Sequence, residues 1–324
     1  MNYLLPQGIG DSVWALHKIQ DIHLHLDPQR PMNVFLTCSE RNELQDRALD
    51  FLRRFKFIDK VDMRLNYGLL NNYGVDKPPF TPGGYWDYIE DGMYDFKGET
   101  YCVLIPNAPL ERGIRLENWL PHYQINWNIF DDFQITSKER AYGAMVRSKV
   151  GPYAVFYPGP LHGNTIEGHN RNMLWKPSEW ITLGERIHKE LGLAIVAVGA
   201  TYDYEYYSHM LAPRLNGSSS HWIDLIGRTT LGELFAVTSN AKFVISYQAG
   251  VGIVSTYLKT PTAMWWRPRG NSISQSGFLS FEEEMSTAWT PPAILESGSY
   301  LPLIYGQGGV EYIMDQIDRR GWVK

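Results

Sequence analysis

The run Phe243-Val244-Ile245 leads into Tyr247-Gln248-Ala249-Gly250-Val251-Gly252, and an apolar stretch of helical character follows to about Leu258. This order reads as a buried strand, a tight small-residue turn and a helix. A helix that opens on small residues aims several backbone N–H groups, and the positive end of its dipole, at one spot. Phosphate or diphosphate oxygens suit that spot. Ala249, Gly250 and Val251 would supply the amides, and Gln248 a side chain able to hydrogen-bond sugar hydroxyls. The same turn also serves as the plain link of a βα unit, so by itself its specificity is low.

Two more turns could do chemistry. Near the start, Tyr3-Leu4-Leu5 reaches Gly8-Ile9-Gly10-Asp11-Ser12, with a helix expected from about Ser12 to His23. This sets the Asp11 carboxylate on a strand-to-helix turn, where it can take a proton from a hydroxyl or simply cap the helix. Midway, the strand Tyr153–Tyr157 ends in Pro158-Gly159, and Trp175-Lys176-Pro177-Ser178-Glu179-Trp180 opens a helix running to about Glu190. The strand Ala194–Val198 then closes on Gly199. Arg228-Thr229-Thr230 precedes another helix, where the threonines could bind a ligand or act as N-caps.

Taken in order, these blocks resemble the ADP-heptose:lipopolysaccharide heptosyltransferases, inverting enzymes with the GT-B fold. The resemblance is carried by Gly10-Asp11-Ser12-Val13, by Pro158-Gly159 with Trp175-Lys176-Pro177-Ser178-Glu179-Trp180, and by Leu231-Gly232-Glu233-Leu234 with Gln248-Ala249-Gly250. It implies an α/β chain of two Rossmann-like domains, with parallel sheets facing a central cleft. Asp11 would be the base. Gly10, Gly159, Lys176, Gly199, Arg228, Thr229, Thr230, Gln248, Ala249, Gly250 and Val251 would line the donor. No metal or other cofactor is implied. The chain departs from the family at three places: Gln248 replaces an acidic residue, Ile253 a histidine and Met173 a lysine. Arg171 or Lys176 would then meet the diphosphate, with the bidentate Arg171 favoured.

Bulk properties set the frame. A chain of 324 residues exceeds one ordinary core, so two domains are expected, at 1–145 and 146–307, with a helix in 308–324 packing back on the first. Hydrophobic residues make up 44%, and the net charge of −5 gives no general attraction to nucleic acid or anionic membranes. Two cysteines, no signal peptide and no long apolar run lead to the expectation of a cytoplasmic protein without a transmembrane segment or obligatory protein partner.

Along the chain, strands at Asn33–Thr37, Lys60–Met63 and Tyr101–Ile105 alternate with a helix at Arg41–Phe55. Asn66 to Gly98 reads as a long loop, and Lys138 to Val150 as a helical connector between domains. The segment 159–172 reads as a lid, since its His162, Glu167 and His169 fit no zinc spacing.

The acceptor stays open between a saccharide hydroxyl and a hydroxymethylated pyrimidine in phage DNA. Tyr85 and Trp86 would stack a sugar or a flipped base, and Arg112 and Arg115 would meet phosphates. A different class is a nucleotide-sugar-binding protein without turnover. A nicotinamide dehydrogenase is disfavoured, because Gly8-x-Gly10 lacks the third fingerprint glycine and no acid ends the second strand.

Overall fold

The computed structural model describes residues 1–5, 8–26, 31–38, 43–65, 92–96, 98–104, 106, 109, 114–122, 125–159, 175–204, 221–266, 286–304, 306 and 308–323. They form two compact units, Met1–Gln134 and Ile135–Lys324.

In the first unit, β1 (Asn2–Leu5), β2 (Asn33–Cys38), β3 (Lys60–Leu65), β4 (Gly92–Phe96) and β5 (Glu99–Val103) form one sheet in the order β3-β2-β1-β5-β4. β1, β2, β3 and β5 run parallel, and β4 returns antiparallel beside β5. The sheet is therefore mixed at one edge rather than wholly parallel. The loop expected over 66–98 also ends earlier, because 92–96 pairs residue for residue with 99–103 and Gly98, at φ +81°, completes the turn. Helix α1 (Ile9–Leu26) and helix α2 (Glu43–Arg53) cover the sheet. Val13, Trp14, Leu16 and Ile19 of α1 are buried, as are Leu49, Phe51 and Leu52 of α2. The short helix α3 (Leu116–Trp119) and a single turn at Ile129–Asp132 follow among the described residues.

The second unit starts with α4 (Ser137–Val150), opened by reciprocal hydrogen bonds between Thr136 and Glu139. Strands β6 (Tyr153–Tyr157), β7 (Ala194–Ala197), β8 (Trp222–Asp224), β9 (Val244–Tyr247), β10 (Thr262–Trp266) and β11 (Tyr300–Ile304) lie in the order β11-β10-β9-β6-β7-β8. Every pair is parallel. This is the doubly wound order, in which the chain grows outward from the first strand one way and then the other. Helices α5 (Pro177–Leu191), α6 (Leu231–Ser239), α7 (Gly250–Tyr257), α8 (Pro292–Glu296) and α9 (Val310–Arg319) accompany the sheet.

Two expectations about domain organisation need correction. The helix 137–150 is no free connector: it packs on α6, so closely that a Cβ on Gly143 would stand 2.7 Å from the Ala236 carbonyl oxygen. The division therefore falls after Gln134 rather than at 145. The C-terminal helix is part of the second unit, not a separate segment of the first. Its Ile313, Met314 and Ile317, with Trp322, join Phe156, Trp180, Tyr247 and Trp265 in the core of the second. Among the described residues, no helix is long and apolar enough to cross a membrane.

Candidate functional site

Doubly wound sheets bind ligands outside the carboxyl ends of their strands, where the strand order reverses. In the second unit that point lies between β6 and β9, which pair from Val155↔Val244 to Tyr157↔Ser246. Gly159 follows one strand and Gln248-Ala249-Gly250 the other, so topology brings together turns that lie far apart in sequence. All four residues of β9 are buried, whereas Gln248, Ala249 and Gly250 are half-buried, the change expected where a strand emerges at a site.

Helix α7 begins directly at this point. Its N-cap is Ala249, with φ −152° and ψ 168°, and no side chain caps it. The leading amides of such a helix have no carbonyl partner within it, so they suit an anion. The Gln248 N–H is spent on the Trp265 carbonyl at 2.7 Å, which fixes the turn to the sheet. Gly252 lets the helix lie close: a Cβ there would come within 2.7 Å of Met264 Sδ and 2.8 Å of Ser246 Oγ.

A carboxylate that sequence reasoning missed organises the neighbouring turns. Asp203, 4% exposed, accepts the Ala200 N–H at 2.8 Å and the Tyr157 hydroxyl at 3.2 Å. A Cβ on Gly159 would stand 2.9 Å from its Oδ1, and one on Gly199 would stand 3.0 Å from its Oδ2. Both expected glycines are thus explained by room for one buried carboxylate. The signal was the short spacing from Gly199 to Asp203, which has no recognised motif. Gly227 N–H donates to the Gly199 carbonyl at 3.1 Å, which draws the Arg228 segment to the same corner.

The remaining candidates divide. Thr230 is the N-cap of α6: its hydroxyl accepts the Glu233 N–H, and the Glu233 carboxylate accepts the Thr230 N–H. Thr229 is buried beside it. Arg228 is 59% exposed and pairs with Asp224 at 3.1 Å. Lys176, exposed, is the N-cap of α5, and its N–H donates to Glu179 at 2.6 Å. The preceding Trp175 N–H donates to the Tyr247 hydroxyl at 3.0 Å, joining this segment to the strand that leads into Gln248. Arg171 and the lid expected at 160–172 lie outside the described residues.

In the first unit the strand order reverses between β1 and β5, and the segment leaving β1 is the Gly8-Gly10-Asp11 turn. Helix α1 starts at Ile9, earlier than expected, so Asp11 sits inside the first turn rather than at the cap. Its half-buried carboxylate lies over Gly8, where a Cβ would overlap Oδ2. The Ser12 hydroxyl and N–H both donate to the Gly8 carbonyl, at 2.8 and 2.9 Å, holding the turn. A hollow of about 530 Å³ lined by Met1, Asn2, Asn33 and Thr100 opens at the opposite, amino ends of β1 and β2, away from this turn. Among the acceptor candidates, Arg115 is exposed and pairs with Glu117, while Tyr85, Trp86 and Arg112 lie outside the described residues.

Comparison with solved structures places this geometry. The Escherichia coli ADP-heptose lipopolysaccharide heptosyltransferase II superposes with a TM-score of 0.59 at 14% identity, over 98% of this chain and 97% of its own. This chain has the GT-B fold. A glycosyl transferase family 9 structure from Veillonella parvula matches at 0.53 and 13% identity, over 100% of this chain and 91% of its own. The E. coli heptosyltransferase WaaC, solved with ADP, matches at 0.53 and 12% identity, over 99% and 100%. No family model and no curated protein sequence matches the chain. In the GT-B fold each Rossmann-like half carries one strand-order reversal, and here these hold Asp11 and Ala249–Val251 respectively.

Proposed function

We propose that this chain is a glycosyltransferase that moves a sugar from a nucleotide-diphosphate donor to a saccharide hydroxyl, with inversion and without a metal at the reacting centre. The observation that carries the reading is the uncapped start of α7 at the strand-order reversal of a GT-B second unit. The relatives in structure are heptosyltransferases, one of them solved with ADP, which supports a nucleotide donor at that turn.

In this mechanism the Asp11 carboxylate takes the proton of the acceptor hydroxyl as its oxygen attacks the anomeric carbon. The bond from that carbon to the diphosphate oxygen breaks, and its electron pair leaves on the diphosphate. The amides of Ala249, Gly250 and Val251 receive the developing charge, and fixed donors aimed at such charge carry large catalytic weight. Lys176 or Arg171 adds the cation. Gln248 holds donor hydroxyls, and Gly159 and Gly199 border the nucleotide with Arg228 and Thr229. The pyrimidine-acceptor reading rests on Tyr85, Trp86, Arg112 and Arg115, of which Arg115 alone is described, exposed and paired with Glu117.

Thermal unfolding with ADP, UDP and GDP, followed by turnover of the matching nucleotide sugar, tests this. One nucleotide should raise the midpoint, and Asp11→Asn should keep that shift while turnover falls by about 10²–10⁴-fold. No shift with any nucleotide would remove the donor site. A shift without turnover in the unaltered chain would favour the nucleotide-sugar-binding protein instead.

A further inference from the structure

The far end of α1 holds a second cluster of chemically capable groups, unrelated to Asp11. Asp21 and His25 lie one helical turn apart, so both project from the same face. His122, after α3, meets them there. Its N–H donates to Asp21 Oδ2 at 3.0 Å, and its ring stacks on His25 with centroids 4.1 Å apart and planes 18° from parallel. The Asp21 side chain is fully buried, and its Oδ1 accepts no hydrogen bond. This buried carboxylate oxygen makes no well-formed hydrogen bond and has only the His25 ring edge near it, at 3.2 Å, so a cation held between the three side chains would satisfy it better.

We propose that Asp21, His25 and His122 bind one divalent transition ion of the zinc class. Two imidazoles and one carboxylate form a donor set typical of such ions, with at least one position left for water. The three ligand atoms lie within 4.8 Å of one another. His25 Nδ1 stands 3.2 Å from Asp21 Oδ1, and His122 Nδ1 stands 3.6 Å from Oδ2. Ligands about 2.0–2.1 Å from a tetrahedral ion are separated from each other by roughly 3.4 Å, so both spacings are close to that. The stacked rings must rotate out of parallel for their in-plane nitrogens to converge on one ion. His25 Nδ1 also contacts the Asp21 backbone carbonyl at 2.7 Å, which places a proton on that nitrogen in the ion-free state. On binding, the neutral ring carries its proton on Nε2 and turns the bare Nδ1 to the ion. Rings at 26% and 35% exposure leave an entry path, while the buried carboxylate supplies the fixed anchor.

The site is about 15 Å along α1 from Asp11, at a rise of about 1.5 Å per residue, so the ion takes no part in transfer. It fastens the end of α1 to the segment after α3. Binding free energy at such a site is folding free energy.

The test uses the full chain, freed of metal by a chelator and dialysed. Calorimetric titration with Zn²⁺ should give one ion per chain, Co²⁺ should give a visible d–d spectrum, and Zn²⁺ should raise the unfolding midpoint. The double variant His25→Gln/His122→Gln should lose at least about 100-fold in affinity, since removing even an outer-shell partner costs roughly 10–100-fold and here two of three protein ligands are gone. It should also lose the thermal shift while keeping its circular dichroism. His188→Gln serves as control: His188 stacks on His221 at 3.8 Å, but beside the half-exposed Glu185 rather than a buried carboxylate. It should bind as the unaltered chain does. No binding at millimolar metal, equal affinity in the double variant, or equal loss in the control would each overturn the site.

Discussion

His17 shows how burial alone sets a charge state. It is fully enclosed on α1, edge-on to Trp127 with centroids 5.4 Å apart, and burial pushes its pKa down to about 3 against the raising effect of a hydrogen bond with the Asn126 backbone. The unfolded chain binds a proton here below about 6.5, and the folded chain does not until about 3. Its contribution to stability is therefore complete above pH 6.5 and is lost as pH falls, by about 1.4 kcal/mol per unit. Urea unfolding at pH 7 and pH 5 should show about 2 kcal/mol of this loss, absent in His17→Gln. Identical pH slopes for the two chains would refute it. Nothing in the sequence marked His17, because a histidine's burial depends on the distant Trp127 folding over it. The turn at Asp11 was legible only in outline: a helix after β1 was expected, but it starts at Ile9 and takes Asp11 into its first turn. Thr230 was legible in type but ambiguous in role, and only the Glu233 partner resolved it as a cap.

Strand, turn and helix from Val244 to Tyr257 could be read from the apolar run and its small-residue break, because the whole device is local. β4 could not: Gly92–Phe96 has no apolar run of its own and is a strand only because it pairs with β5 at the sheet edge. Locality also makes the α7 turn open to a decisive substitution. Ala249 already has the extended backbone of an N-cap but no side-chain acceptor. Ala249→Asp would give the first amides of α7 a carboxylate partner and stabilise the fold by about 1 kcal/mol. The same carboxylate would occupy and repel the place of a diphosphate. The variant should unfold at a higher temperature than the unaltered chain, yet show no shift with nucleotide. If it still shifts, the diphosphate binds elsewhere. If it is destabilised, the half-buried turn is closed by packing rather than open to a ligand.

The two units differ in what they need from the rest of the chain. The described part of residues 135–324 contains a six-stranded sheet, and its core runs from Ala154 to Trp322. The final segment closes this core from its own side: Arg320 donates to the carbonyls of Gly298 at 3.0 Å and Tyr300 at 2.9 Å, and Trp322 donates to Gly298 at 3.2 Å. That dependence was hidden in the sequence, because an amphipathic terminal helix reads the same whichever unit it covers. It follows that a fragment of 135–324 should fold cooperatively by itself, whereas one ending before Val310 would bare Phe156, Trp180 and Trp265 and fail to fold. If the donor diphosphate rests on α7 and the Gly159–Asp203–Gly199 corner, the fragment should also keep the nucleotide-induced shift of the full chain and have no turnover, since Asp11 is absent. Calorimetric unfolding of the fragment with and without nucleotide separates the outcomes. A folded fragment blind to nucleotide would mean that the first unit supplies essential donor contacts, and the α7 turn alone would no longer account for binding.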